Sequence, residues 1–237
     1  MLALKLGNSL SGMGKTLPNT YSLRLNGTDT YVTADSVAAD IDISKGAFSA
    51  WVQISTTSSS GTILHSRVDS NNLFNFFYHA SSNELRFTYK AGGTTKYVFT
   101  TEEIEGDEKW HHVYATWSVA ADEIKLYLDG ELKGEQTNLG TWSGTPAVFD
   151  IGQNTTGSGY FKGYVTEVAM FDVIQPINSV YVTAQQPVDL TGLSGLKAYF
   201  KTNEGSGTSA FDSSGEGNTG TLINTPTWST IVPYKAG

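Results

Sequence analysis

Side chains of period two run through this chain, and a two-residue period is the signature of strands with one face on a core. Tyr21-Ser22-Leu23-Arg24-Leu25, Leu85-Arg86-Phe87-Thr88-Tyr89-Lys90 and Ile124-Lys125-Leu126-Tyr127-Leu128 alternate apolar and polar residues. Phe48-Ser49-Ala50-Trp51-Val52-Gln53-Ile54 does so except at Trp51. Turn chemistry separates the runs at Asn26-Gly27, Gly92-Gly93, Asp129-Gly130 and the Ser/Gly stretch Ser58–Gly61. Asp-Gly between Leu128 and Leu132 predicts a hairpin, because a type I′ turn needs positive φ at both central residues. About a dozen strands at roughly 8–12-residue spacing give the rhythm of a sandwich or jelly roll. Leu73–Tyr78, with four aromatic residues, is expected between layers. Pro176–Ala184 reads equally as a short helix or as irregular chain: Pro suits a first helical turn, while Val180, Tyr181, Val182 and Thr183 form helices poorly.

Composition narrows the partners. The 237 residues carry 15 Lys plus Arg against 23 Asp plus Glu, a net charge of −8. Such a surface has no basic patch to release counterions from nucleic acid, and it is repelled by an anionic membrane. The absence of cysteine removes disulfides, zinc-thiolate sites and cysteine nucleophiles. No stretch approaches the ~18 apolar residues of a membrane-spanning helix, and Met1–Gly12 does not read as a signal peptide.

Four blocks carry a family resemblance over residues 21–172. They are Leu23-Arg24-Leu25-Asn26-Gly27-Thr28-Asp29-Thr30-Tyr31-Val32; Phe48-Ser49-Ala50-Trp51-Val52; Trp110-His111-His112-Val113 with Leu126-Tyr127-Leu128-Asp129-Gly130; and Phe161-Lys162-Gly163-Tyr164-Val165-Thr166-Glu167-Val168. In order and spacing they resemble laminin-G-like domains of the concanavalin A-like class. A fifth block, Gly195–Phe200 with Asn203–Gly207 and Asp212–Leu222, is similar to one that in many relatives precedes the sandwich; here it comes after it. That order resembles laminin-G-like proteins of bacteriophages. The resemblance implies an all-β, two-sheet antiparallel jelly-roll sandwich over residues 21–222, completed by 195–222, with an N-terminal arm (1–20) and a C-terminal arm (223–237).

Several constellations invite chemistry. Ser11-Gly12-Met13-Gly14-Lys15-Thr16 ends like a phosphate loop, but Ser9 stands where its first Gly belongs. Glu102, Glu103, Glu105, Asp107 and Glu108 could begin a glycosidase carboxylate pair, yet Gly106 breaks the alternation, and a solvated loop is expected. His111 and His112 are adjacent on a strand, so they point to opposite faces and cannot chelate one ion. Asp212, Asn218 and the Gly-rich turn between them offer oxygen ligands for a structural calcium, with Asp29 meeting them across the rim; the competing reading is an Asx turn made by Asp212. Trp142 and Tyr160 sit in Gly/Ser/Thr-rich loops and, with the amide of Asn154, are candidate sugar contacts, because sugar C–H faces stack on aromatic rings.

Together these features point to a non-enzymatic structural, decoration or adhesion protein on a phage capsid or tail, at the virion surface, with surface glycans as further partners. Leu2, Leu4 and Leu6, and Ile231 and Val232, would contact other virion proteins or copies of the same chain. The alternatives are a secreted, extracellular carbohydrate-binding module and, behind it, a glycoside hydrolase.

Overall fold

A computed structural model describes residues 19–57, 59–155, 157 and 159–233. Leu2, Leu4 and Leu6 lie outside the described residues. In chain order the strands are β1 (Ser22–Asn26), β2 (Tyr31–Thr33), β3 (Lys45–Ile54), β4 (Gly61–Asp69), β5 (Asn72–His79), β6 (Glu84–Ala91), β7 (Thr94–Thr100) and β8 (His111–Ser118). They continue with β9 (Glu123–Leu128), β10 (Glu131–Thr137), β11 (Val148–Ile151), β12 (Lys162–Phe171), β13 (Leu196–Phe200), β14 (Ser209–Ala210), β15 (Gly220–Ile223) and β16 (Thr227–Ser229). The ambiguous segment after Pro176 forms only one helical turn, α1 (Ile177–Val180); its β-branched residues supply little reason to continue it.

The strands form two antiparallel sheets. The first runs β10-β9-β8-β3-β12-β1-β16, with β13 also on β12; the second runs β14-β15-β2-β11-β4-β5-β6-β7. The predicted hairpin at Asp129-Gly130 joins β9 to β10, with φ of +49° and +80°. Between the sheets lies the main core. Phe48, Phe74 and Trp117 meet at ring distances of 4.5–5.5 Å, and Trp117 donates its Nε1–H to the Asp42 carbonyl at 2.9 Å. Of the aromatic run, Phe74, Phe76 and Tyr78 face this core, while Leu73 and Phe77 alternate outward.

The chain after β12 returns over the outer face of the first sheet. Val180, Val188 and Leu190 pack there on Ala47, Tyr114, Phe171 and Tyr199, forming a second, smaller apolar cluster. This layer explains why β3 is buried on both faces beyond its first residue.

β12 is the hinge of the topology. Its first half pairs with β1 (Leu23 opposite Val165) and its second half with β13 (Val168 opposite Phe200). The change of partner coincides with a bulge at Glu167, a non-glycine residue at φ +53°. A bulge leaves one residue out of the ladder. Here the Glu167 carboxylate accepts hydrogen bonds from the Tyr199 hydroxyl and from the Asn19 amide (2.9 Å), which stitches the junction. Burial pushes its pKa up to about 7.

Both expected arm boundaries shift. Residues 227–229 form β16 on β1, with Trp228 against the core, and Ile223 ends β15, so the sandwich reaches at least to Ser229. Asn19, placed in the N-terminal arm by the sequence reading, is buried and bonded to Thr166 and Glu167.

Candidate functional site

The loop between β11 and β12 carries two of the predicted site residues, Asn154 and Tyr160. Gly152, at φ +97°, opens the loop and donates its N–H to the Ile63 carbonyl at 3.0 Å. The Phe161 N–H closes it by bonding the Gly152 carbonyl at 2.9 Å, and the buried Phe161 ring plugs its base. Gly159, at φ +65°, accepts from the Thr62 N–H at 2.7 Å, so the loop is tied to β4 beside Tyr160. Asn154 lies against Gly159: a Cβ built on that glycine would stand 3.2 Å from the Asn154 Nδ2.

The Tyr160 ring pairs with that of Tyr31 on β2, centroids 6.3 Å apart and tilted by 42°, both rings half-buried. Next to them the outer face of the second sheet is polar. Thr33, Asp150 and His65 stand in register on β2, β11 and β4. Gln153 donates to Asp150 at 3.2 Å, and Thr155 approaches His65 at 3.4 Å. Asp150 is only 3% exposed; burial, with Asp35 adding to it, lifts its pKa to about 6. Burial and Arg67 lower His65 to about 4, so it is neutral at pH 7. Burial and the neighbouring Asp150 raise the Tyr31 hydroxyl above its ordinary value. The result is a half-buried aromatic pair, whose ring faces can stack on sugar C–H groups, set over a buried polar layer of Asp150, Gln153 and His65.

Trp142 is a correction. Its ring is 8% exposed and stacks on Phe74 at 4.6 Å, with Tyr89 at 5.7 Å, so the third predicted sugar contact belongs to the core. The loop around it folds inward because the Asn72 side chain accepts from both Ser143 N–H (3.2 Å) and Gly92 N–H (3.0 Å). Polar loop composition says nothing about such a long-range tie. Tyr31 and Asp150, in turn, escaped the sequence reading. An outward Tyr31 was legible from its alternation with Val32, but its pairing with a loop more than a hundred residues away was not.

The candidate calcium ligands are engaged by hydrogen bonds within the protein. Asp212 Oδ1 accepts from the N–H groups of Tyr199 and Ser214, both at 2.9 Å; Oδ2 accepts from the Ser214 hydroxyl (2.7 Å) and the Asn218 N–H (2.8 Å). That is the Asx-turn arrangement, with both Asp212 oxygens accepting from the protein's own donors. Asn218 donates its amide to Asp40 at 2.7 Å and to the Lys197 carbonyl at 2.9 Å. Asp29 stays in the β1–β2 turn, bonded to Asn26 at 2.8 Å. Among the described residues no group of three or more His, Asp or Glu could hold a metal.

The acidic run before β8 is divided among separate partners. Glu105 accepts from Tyr78 and from the Thr57 N–H. Glu102 and Glu131 pair with Lys133 at 2.7 and 2.9 Å. Asp107 and Asp129 hold the two nitrogens of His111 at 3.1 and 2.7 Å. A neutral imidazole has one N–H, so satisfying both carboxylates requires the charged form; burial opposes this charge, and the two acids outweigh it, raising the His111 pKa. His112, on the opposite face of β8, lies under Tyr181 and bonds Ser49 at 2.9 Å.

Comparisons with known proteins agree with this architecture. The model of the laminin-G-like family of the concanavalin A-like lectin/glucanases superfamily matches residues 26–174. No curated protein sequence matches the chain. Among solved structures, a Bacteroides ovatus protein described as a candidate carbohydrate-binding protein superposes with a TM-score of 0.62 at 17% identity. The match covers 90% of this chain and 60% of that one, so this chain spans about three-fifths of its neighbour. The CBM40 module of a Ruminococcus gnavus IT-sialidase, solved with α2,3-sialyllactose, gives 0.57 at 9% identity, covering 69% and 96%. Domains LG4–5 of the mouse laminin α1 chain give 0.52 at 13%, covering 77% and 52%. With the two sheets, their antiparallel order and the family match across most of the sandwich, the chain belongs to the laminin-G-like family of the concanavalin A-like lectin/glucanases superfamily.

Proposed function

We propose that this protein is a non-catalytic glycan-binding module whose sugar seat is the Tyr31–Tyr160 pair. The observation that carries the reading is the two half-buried rings 6.3 Å apart beside Asp150, Gln153 and Asn154, at a loop tied down at both ends. A tied loop holds its rings in place before the ligand arrives, which lowers the ordering cost of binding. The carbohydrate-binding neighbours support the ligand class by analogy of fold. The dispersal of the acidic run among hydrogen bonds and ion pairs supports binding over hydrolysis, since a glycosidase needs two carboxylates flanking the scissile bond.

The test is titration of oligosaccharides, sialyllactose among them, into the native chain and into Tyr160→Ala. Tenfold or greater loss of affinity, about 1.4 kcal/mol, with an unchanged unfolding midpoint is the expected result. Equal affinity for both chains rejects the seat.

Display on a phage particle is the setting we favour over secretion. Its support is the position of the 195–222 block behind the sandwich, realised as β13 to β15. Ile231 is 44% exposed at the end of the described chain, with Val232 half-buried beside it. A particle map in which neither these residues nor Leu2, Leu4 and Leu6 touch a neighbour excludes the contact role given to them.

A further inference from the structure

A cavity of about 480 Å³ opens on the opposite side of the sandwich, on the outer face of the first sheet. Its volume falls in the range of roughly 300–1,000 Å³ that small-ligand sites occupy. Strand register sets its floor: Gln53 on β3 lies directly beside Tyr164 on β12. Ser55 and Thr56, leaving β3, form one wall; Gly106 and Glu108 form another; Ile231 closes the end. Arg24, on the far side of Tyr164, lines a separate recess of about 290 Å³.

Three features mark this cavity as built. First, Tyr164 is half-buried and supported by the buried Trp110 ring, centroids 6.4 Å apart. Second, Gln53 donates its amide to the Glu108 carbonyl at 2.6 Å, which fixes the side chain and leaves its Oε1 as an acceptor. Third, Glu108 holds φ +60°, a conformation that costs a non-glycine residue energy and persists only where the surroundings enforce it. The enforcement is visible: the preceding residue, Asp107, is clamped by His111, which is itself braced by Asp129. The backbone of the wall that bears Glu108 is therefore set before any ligand arrives.

We propose that this cavity is a second glycan subsite, selective for a neutral sugar. The Tyr164 ring stacks on the sugar's C–H face, the Glu108 carboxylate accepts a pair of vicinal hydroxyls, and Gln53 with Ser55 and Thr56 completes the hydroxyl contacts. A carboxylate in the wall of a chain of net charge −8 disfavours an acidic sugar. The two seats occupy opposite outer faces of one sandwich. A single molecule can thus hold two glycan chains at once, and linked sites of this kind raise avidity without any new contact. The bridging role rests on the Tyr31–Tyr160 reading; the subsite does not.

The experiment is an array of neutral oligosaccharides (lactose, maltotriose, chitotriose) and sialyllactose. It is probed with the native chain and with Tyr164→Ala, Tyr164→Phe, Glu108→Gln and Tyr160→Ala. The expected result is a neutral-sugar signal that falls tenfold or more in Tyr164→Ala and Glu108→Gln, and survives in Tyr164→Phe and Tyr160→Ala. Glu108 is exposed, so its variant reports on binding even if removal of the Tyr164 ring perturbs the fold. A blank array, or one whose signals all survive Glu108→Gln, overturns the subsite. Signals lost in Tyr160→Ala alone overturn it while sustaining the first seat; signals lost only in the Tyr164→Ala and Glu108→Gln variants do the reverse.

Discussion

The outer faces of the two sheets begin from the same alternating pattern and end differently. On the first, Trp51, Tyr114 and Tyr199 point away from the main core and are still buried, because residues 172–195 fold back over them. On the second, Tyr97 and Phe99 point outward and remain 44% and 40% exposed, with the Arg86 guanidinium lying 4.8 Å from the Tyr97 ring centre. Alternation states which side chains leave the core. It does not state whether water or another stretch of chain receives them; the course of the chain after β12 decides that.

The contrast can be broken most forcefully at Tyr199. It is fully buried, and its hydroxyl donates to Glu167. Tyr199→Ala is expected to cost about 3–5 kcal/mol in urea unfolding, as a truncated core aromatic does. A cost below about 1 kcal/mol would mean that the covering layer contributes little.

His112 sharpens the comparison through pH. Burial drives its pKa to about 3, and burial with Arg67 drives His65 on the second sheet to about 4. Both lie below the unfolded value of about 6.5. The unfolded chain therefore binds more protons, and stability falls as pH drops from about 6.5 toward 4. Asp150 and Glu167, raised to about 6 and about 7, act with the opposite sign and lose their stabilising effect as pH rises from about 4 through those values. His112→Gln should flatten the acid decline by an amount on the order of 2–4 kcal/mol between pH 7 and 4, read from denaturation midpoints. An unchanged slope would show that the covered face is hydrated. The smallest effect is expected on the open face, where Phe99→Ala should stay within roughly 0.5 kcal/mol of the native chain. A large loss there would mean that the Arg86–aromatic cluster carries the sheet.

Much of the sandwich was legible in advance because its rules are local. Period-two runs place strands, and Asp129-Gly130 places a hairpin. The sites were less legible because they depend on which distant strands become neighbours. Trp142 sits in a loop that reads as solvent-facing and is held inward by Asn72, some seventy residues earlier. Asp212 reads in the sequence as an ion ligand or as a turn former, and in the fold its carboxylate takes four donors of the protein itself. Tyr160 and Asn154 are named from loop composition alone, whereas the Tyr31 ring beside Tyr160 enters only once β2, β11 and β4 lie side by side.

The junction at Glu167 bears on how the two sheets are joined. β13 and β1 both run antiparallel to β12 and occupy successive stretches of it, β13 opposite Phe171 to Val168 and β1 opposite Val165 to Lys162. The Asn203 side chain, just past β13, accepts from the backbone N–H groups of Thr20 and Tyr21 at 2.8 Å. Two segments nearly two hundred residues apart thus behave as one interrupted strand. The chain after each of them leaves for the second sheet, where β15 lies on β2, so the two halves of this strand line also tie the two sheets together.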